Sequence, residues 1–263
     1  MIAAVSRRSF ILTLASAPLF TRAQERSYQT GYSSMMKLGR DLRAALAAER
    51  RKMIAEQPIS IETSDQPFAR PLYLKDGGKE VRGVWISAGF IDLVNRVAHA
   101  QAIDTKTEGY LAKYARLLER GVQPVPELPE ARGVRFWTDE VLNEQQSNFN
   151  SIVGLTVGMK LANHYLGHVE KYRKKLEEPS DVPRILNNLL TREEWKECFA
   201  HGVGNALRAG CMTEGAAPLL EALDGMKFRP AWAGYFIPDE VKFASMRKEM
   251  ERLQTSFLAG NEK

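Results

Sequence analysis

The sequence predicts a mainly α-helical domain with a small β-hairpin or sheet, which is an α+β fold. Most of the chain carries apolar residues at helical spacing, and the longest such run contains no proline. Residues 59–87 differ, because short strand-like runs there flank the turn signal Asp76-Gly77-Gly78. The 263 residues are enough for one domain with a sizeable core.

Glycine, proline and turn residues mark the boundaries between the predicted elements. Strands are predicted at residues 59–61, 71–74 and 84–86, and residues 71–87 form a hairpin. Helices are predicted at residues 35–57, 90–103, 109–120, 138–176, 192–209, 215–226 and 241–259. Residues 121–133 contain three prolines and predict an extended connection.

The first 23 residues have the pattern of a cleavable export signal. Arg7 and Arg8 stand directly before an apolar run, and small residues follow it. Paired arginines at this position are typical of the twin-arginine route. We expect cleavage after Ala23 and a mature domain of residues 24–263 in the periplasm or outside the cell. An uncleaved anchor is disfavoured, because the run is shorter than the ~20 residues that span a membrane.

The signal also carries much of the net positive charge. The whole chain has 37 basic and 32 acidic residues, and the first 23 residues hold Arg7, Arg8 and Arg22 but no acid. Subtracting three leaves 34 basic against 32 acidic residues in the mature chain, a net charge of +2. This near-neutral balance does not favour nucleic-acid binding. No second apolar stretch predicts a transmembrane span.

The longest predicted helix forms the centre of the fold. Thr138 is a suitable N-cap, and Asp139 and Glu140 follow in the first turn, where the helix dipole favours acidic side chains. No proline interrupts residues 138–176. The middle of this run is strongly apolar, so we expect it to be buried.

The two cysteines, Cys198 and Cys211, are predicted to be free thiols. Both are predicted to lie on one helix that ends near Gly210, and they are 13 positions apart. At ~1.5 Å of rise per residue they are separated by roughly 20 Å. A disulfide needs Cα atoms within about 7 Å of each other.

Two of the four histidines are candidates for a metal site. His164 and His168 are four residues apart, which on one helix places both imidazoles on the same face. Zinc accepts this pair of ligands from a helix, and two buried imidazoles need partners. The alternative is a pair of hydrogen-bonded core or surface histidines.

Three stretches in order resemble a known family over roughly residues 70–226. They are the hairpin strand and turn of residues 84–93, the His164-Tyr165-Leu166-Gly167-His168 motif, and a helix that begins near Glu194 and ends at Ala209-Gly210. This order is similar to that of gluzincin metallopeptidases, the group of the CAAX prenyl proteases and the bacterial heat-shock membrane proteases. The resemblance implies a zincin-like helical core around the long central helix, with His164, His168 and Glu194 as zinc ligands.

The chain departs from the family at two positions. Tyr165 stands where the family has its catalytic glutamate, and a phenol with a pKa of ~10 is a poor base at neutral pH. Cys198 replaces the aspartate that helps to orient a ligand. The motif therefore retains the pattern for metal binding and lacks the one for peptide hydrolysis.

These observations lead to an exported zinc-binding protein that is non-peptidase or weakly hydrolytic. One alternative is an active metallohydrolase that uses Tyr165 or Glu197 in an unusual role. Another is a secreted helical interaction domain that binds no metal, in which His164 and His168 merely pack. The sequence indicates neither a substrate nor a particular protein partner.

Overall fold

The computed structural model describes residues 22–76, 78–121, 125–129, 133–178 and 184–260. Within these ranges the α-helices are α1 (Arg22–Ala44), α2 (Ala48–Lys52), α3 (Ala88–Asp104), α4 (Tyr110–Leu118), α5 (Asp139–Tyr165), α6 (His168–Glu177), α7 (Arg192–Arg208), α8 (Ala217–Gly225) and α9 (Ala244–Leu258). The strands are β1 (Ile59–Glu62), β2 (Ala69–Asp76) and β3 (Lys79–Ser87). Short 3₁₀ helices lie at Val134–Phe136, Leu186–Asn188, Glu214–Ala216 and Ala231–Tyr235. The predicted mainly α fold with a small sheet is confirmed.

The sheet has the strand order β1-β3-β2, with β3 in the centre. β2 and β3 form the predicted hairpin, in which Ala69 lies opposite Ile86. β1 adds on the other side in parallel, so that Ile59 lies opposite Val84. The alternating side chains of Val84 and Ile86 are fully buried beneath the sheet.

α5 is the central element of the core. As predicted, Thr138 caps it, and its Oγ1 accepts a hydrogen bond of 3.4 Å from the backbone N–H of Val141. Every residue from 151 to 164 is buried. α1, α3, α7 and the sheet surround this segment. Because other elements pack around this segment, apolar residues occur on all of its faces and not on a single stripe.

α5 and α7 are in backbone contact where two glycines meet. A Cβ atom added at Gly158 would lie 2.8 Å from the carbonyl oxygen of Gly202. One added at Gly202 would lie 2.4 Å from Cγ of Met159. Both distances are shorter than carbon contacts allow, so glycine is required on each helix for this close packing.

The prediction of one helix over residues 35–57 is wrong. α1 starts earlier, at Arg22, and ends at Ala44, and the short α2 follows after a turn. The turn buries the side chain of Leu46, and the guanidinium of Arg51 donates to the carbonyl oxygens of Ala44 and Leu46 at 2.7 and 2.9 Å. Arg51 thereby satisfies backbone acceptors that the end of α1 leaves open.

The prediction of one helix over residues 138–176 is also wrong. α5 ends at Tyr165, and α6 begins at His168. Between them Gly167 has a φ of 79°, a left-handed conformation that ends a helix and that only glycine adopts without strain. The backbone N–H of Gly167 donates to the carbonyl oxygen of His164 at 3.2 Å, which closes the last turn of α5.

Both cysteines are free and buried. The Cys198 thiol donates to the carbonyl oxygen of Met159 at 3.2 Å, and burial raises the pKa of this thiol to about 12. Cys211 packs beside Gly154 of α5. Both side chains therefore serve as small core residues.

The predicted export signal lies outside the described residues, apart from Arg22 and Ala23 at the start of α1. Parts of the predicted extended connection, at residues 122–124 and 130–132, also lie outside them. In the part of the chain that the structure describes, no helix is both long and apolar enough to cross a membrane.

Candidate functional site

The break at Gly167 places His164 and His168 on different helices. His164 belongs to the last turn of α5, whereas His168 is the first residue of α6. The geometry of two imidazoles on one helical face, which the sequence spacing predicts, is therefore not formed. Each histidine has its own surroundings.

His164 is directed to the sheet. Its imidazole is buried, and Nε2 lies 2.7 Å from the carbonyl oxygen of Gly83 in β3. A carbonyl oxygen only accepts, so the ring proton is on Nε2. Nδ1 then carries a lone pair, and it is buried without a hydrogen-bond partner among the described residues. Burial, with a smaller contribution from the charge of Arg82, lowers the pKa of His164 to about 4 despite the opposing effect of the hydrogen bond to Gly83, so the ring is neutral at pH 7.

His168 is directed to α7 instead. It is also buried, and its Nδ1 lies 2.9 Å from Oδ1 of Asn163. With Nδ1 donating to this oxygen, Nε2 keeps the lone pair. Burial lowers the pKa of His168, while the carboxylates of Glu194 and Glu197 partly oppose this effect. The His168 imidazole, with its lone pair on Nε2, therefore interacts electrostatically with the carboxylates of Glu194 and Glu197.

Glu194 has a structural role at the start of α7. Its carboxylate accepts a hydrogen bond of 2.8 Å from the backbone N–H of Thr191. In return, the Thr191 hydroxyl accepts a hydrogen bond of 3.2 Å from the backbone N–H of Glu194. This reciprocal pair is a capping box. The Thr191-x-x-Glu194 spacing in the sequence was a signal for it.

Two side chains of α6 also donate hydrogen bonds to the Glu194 carboxylate. Lys171 donates to Oε1 at 2.6 Å, and the Tyr172 hydroxyl donates to Oε2 at 2.7 Å. Burial would raise the pKa of Glu194, but the hydrogen bonds from Lys171, Thr191 and Tyr172 outweigh it and lower this pKa to about 2. The carboxylate is thus ionised, and both of its oxygens accept hydrogen bonds.

Tyr165, which stands at the position of the family's glutamate, belongs to a cluster with Arg50 and His201. The Arg50 guanidinium lies 4.7 Å from the centre of the Tyr165 ring, and the rings of Tyr165 and His201 meet edge to face at 5.5 Å. Burial raises the pKa of Tyr165 to about 12. The phenol is therefore protonated at neutral pH.

Arg50 also fixes the protonation of His201. Its Nη1 lies 3.4 Å from Nδ1 of His201, and arginine only donates, so Nδ1 of the imidazole accepts. Burial and then the charge of Arg50 lower the pKa of His201. Sequence reasoning missed Arg50, because it comes from α2, 151 positions away, and no local pattern links it to α7.

Lys160 is a buried cation that sequence reasoning also missed. It lies one turn before His164 and is 1% exposed. Its Nζ donates to Oδ1 of Asn187 at 3.0 Å and to the carbonyl oxygen of Tyr235 at 2.9 Å. Burial lowers the pKa of Lys160 to about 8. The position of a lysine inside the apolar run of α5 was the available signal.

His99, on α3, is a core histidine with its own partner. Its Nε2 lies 2.7 Å from the carbonyl oxygen of Phe136, and its ring meets Trp137 edge to face at 4.5 Å. Burial lowers its pKa. These contacts account for the burial of His99 in the core.

The structure therefore brings together some predicted site residues and separates others. His168 lies in the field of Glu194, Glu197 and His201, whereas His164 faces β3. Over the described ranges, no three His, Cys, Asp or Glu side chains are grouped as a metal ion requires. His164, His168 and Glu194 are accordingly not gathered into such a group among the described residues.

No known protein family matches the chain. Neither does a curated protein or a solved structure.

Proposed function

We propose that this protein is an exported binding domain with a gluzincin-like order of elements and no peptidase activity. The observation that carries the proposal is the state of Tyr165. Peptide hydrolysis on a metal needs a general base with a pKa near the working pH, which takes a proton from water. The Tyr165 phenol has a pKa of about 12 and lies against Arg50 and His201. It cannot supply that base at neutral pH.

The hydrogen bonds of the other motif residues support the same conclusion. His164 holds the end of α5 to β3 through Gly83, and Glu194 caps α7 and binds Lys171. Both side chains therefore contribute to the fold, whereas a peptidase would use them to bind its metal. This favours the metal-free interaction domain among the alternatives that the sequence leaves open.

Zinc binding is the second candidate, and one observation favours it. Asn163 accepts the Nδ1 proton of His168, and this kind of hydrogen bond orients a metal-binding imidazole in many proteins. The free lone pair on Nε2 lies near the acids Glu194 and Glu197. For zinc to bind, Glu194 would have to release Lys171 and become a ligand, or another side chain such as Glu197 would have to serve as the ligand in place of Glu194.

Two measurements on the exported protein, purified without chelator, test these candidates. Casein hydrolysis is followed with and without 1,10-phenanthroline, and bound zinc is measured by elemental mass spectrometry. We expect no chelator-sensitive hydrolysis, and hydrolysis that phenanthroline abolishes would refute the proposal. A Tyr165→Glu variant that gains cleavage would show that only the base is missing.

The zinc measurement needs a matched control. His168→Ala removes the candidate ligand, whereas His99→Ala removes a buried histidine that donates to the carbonyl of Phe136. Stoichiometric zinc that is lost only in His168→Ala would support the second candidate. Zinc content that is negligible in all three proteins would support the metal-free reading.

A further inference from the structure

A small cleft lies on the side of α7 that faces α9. Its volume is about 250 Å³, and it is lined by the start of α7 and by the segment that leads into α9. Arg192 and Lys196, one turn apart on α7, form one wall. Glu194 is two residues from each of them and so projects from the opposite side of the helix at ~100° per residue. The cleft is therefore separate from the His168 and Glu194 cluster.

Unpaired positive charge dominates the cleft. In the part of the chain that the structure describes, neither Arg192 nor Lys196 forms an ion pair or a side-chain hydrogen bond. A third cation, Lys242, pairs with Asp224 at 3.3 Å. Glu240 is the acid of the lining. The two charges of Arg192 and Lys196 exceed the single charge of Glu240, and this excess produces a local potential that attracts anions.

Trp195 provides a second and independent indication of a ligand. It lines the cleft although it is only 1% exposed, and its ring stacks on Phe199 at 5.1 Å. Its indole N–H is buried and has no acceptor among the described residues. An indole nitrogen only donates, and a buried donor without a partner costs free energy. A ligand that carries an acceptor would remove this cost.

The rest of the lining is apolar. Val241 and Met246 complete the floor beside the Trp195 ring. The volume lies below the ~300 Å³ at which pockets for drug-sized ligands begin. We propose that this cleft binds a small organic carboxylate, whose charged group accepts from Arg192, Lys196 and the Trp195 indole N–H and whose short apolar part contacts Val241 and Met246. The guanidinium of Arg192 matches a carboxylate in two-pronged geometry. This inference holds whether or not the protein binds zinc.

Calorimetric titration of the full protein at low salt tests the proposal with four probes. Hexanoate carries both features, acetate and inorganic phosphate carry charge without an apolar chain, and hexylamine carries the chain with the opposite charge. We expect saturable binding of hexanoate, weaker binding of acetate and phosphate, and none of hexylamine. Added salt should weaken hexanoate binding, because screening reduces the attraction. No hexanoate binding, or equal binding of phosphate and hexanoate, would overturn the proposal.

Surface variants locate the binding without risk to the core. Arg192→Gln with Lys196→Gln should weaken hexanoate binding by about tenfold or more. Arg116→Gln with Lys174→Gln removes the same two residue types from exposed positions on α4 and α6, and should leave it unchanged. Equal affinity in both double variants would place hexanoate elsewhere and refute the site.

The indole proton of Trp195 reports directly on whether its N–H gains an acceptor when a ligand binds. The chain has four tryptophans, and a Trp195→Phe variant assigns the Trp195 indole peak in a proton–nitrogen correlation spectrum. Hexanoate should move this peak downfield, as expected when an N–H gains a carboxylate acceptor. A peak that stays in place at saturation would contradict the assigned role of Trp195.

Discussion

The imidazole of His164 donates a hydrogen bond of 2.7 Å to the carbonyl oxygen of Gly83. This bond joins the end of the central helix to the central strand of the sheet. It also determines the tautomer of His164, whereas burial keeps the imidazole neutral. The residue that the sequence marks as a metal ligand is thereby part of the junction between helix and sheet.

His164 should make the stability of the protein depend on pH in the acidic range. Its pKa of about 4 in the folded state lies below the ordinary value of ~6.5. The unfolded chain therefore takes up a proton between these values, and the folded chain does not. Stability is complete above pH ~6.5 and falls by up to about 3 kcal/mol as the pH decreases to about 4.

Urea unfolding at a series of pH values measures this effect. A His164→Gln variant keeps a donor for the carbonyl of Gly83 but does not titrate. Its free energy of unfolding should fall less steeply between pH 7 and pH 4.5 than that of the wild type. Parallel curves for the two proteins would show that His164 is not a buried neutral imidazole.

Gly167→Ala should destabilise the protein by about 1 kcal/mol, because alanine is strained at positive φ. Gly225→Ala at the end of α8 is the matched control. Both positions have open space around an added Cβ, but only Gly167 has a positive φ. The midpoint of urea unfolding should fall for the first variant and stay or rise for the second. Equal midpoints would contradict the left-handed break.

The capping box makes Thr191 and Glu194 energetically coupled. Thr191→Ala and Glu194→Ala should each cost about 1 kcal/mol of unfolding free energy, and the double variant should cost less than their sum. Glu193→Ala removes a neighbouring exposed acid and should cost less than Glu194→Ala. Strict additivity in chelator-treated protein would argue against the reciprocal cap.

Export is testable through the paired arginines. Arg7→Lys with Arg8→Lys should leave the uncut precursor in the cytoplasm, because the twin-arginine route reads that pair. Arg22→Lys makes the same chemical change next to the expected cleavage site and should not stop export. Cell fractionation with immunoblotting measures both, and export of the double lysine variant would refute this route.

The sequence predicted those features of the fold that depend on local pattern. The hairpin, the Thr138 cap and the helices α3, α4 and α7 follow from turn residues, capping residues and apolar spacing. The central helix is shorter than the absence of proline predicts, because Gly167 adopts a positive φ after its last turn. Glycine after the last turn of a helix is itself a stop signal.

The candidate site was less predictable, because its partners are distant in sequence. His164 contacts Gly83, 81 positions away, and His201 contacts Arg50, 151 positions away. A motif spacing describes only residues on one element, and it cannot show which way an imidazole turns once the element ends. The parallel addition of β1 to β3 is non-local for the same reason.

At Gly158 and Gly202 no side chain separates α5 from α7. The two helices cannot slide along each other without a backbone clash, so they should move as one rigid body. Slow collective motion of the molecule is then left to the elements attached around this pair, such as α2, α6 and α9. Amide hydrogens near the glycine contact should exchange with solvent only when the whole domain unfolds.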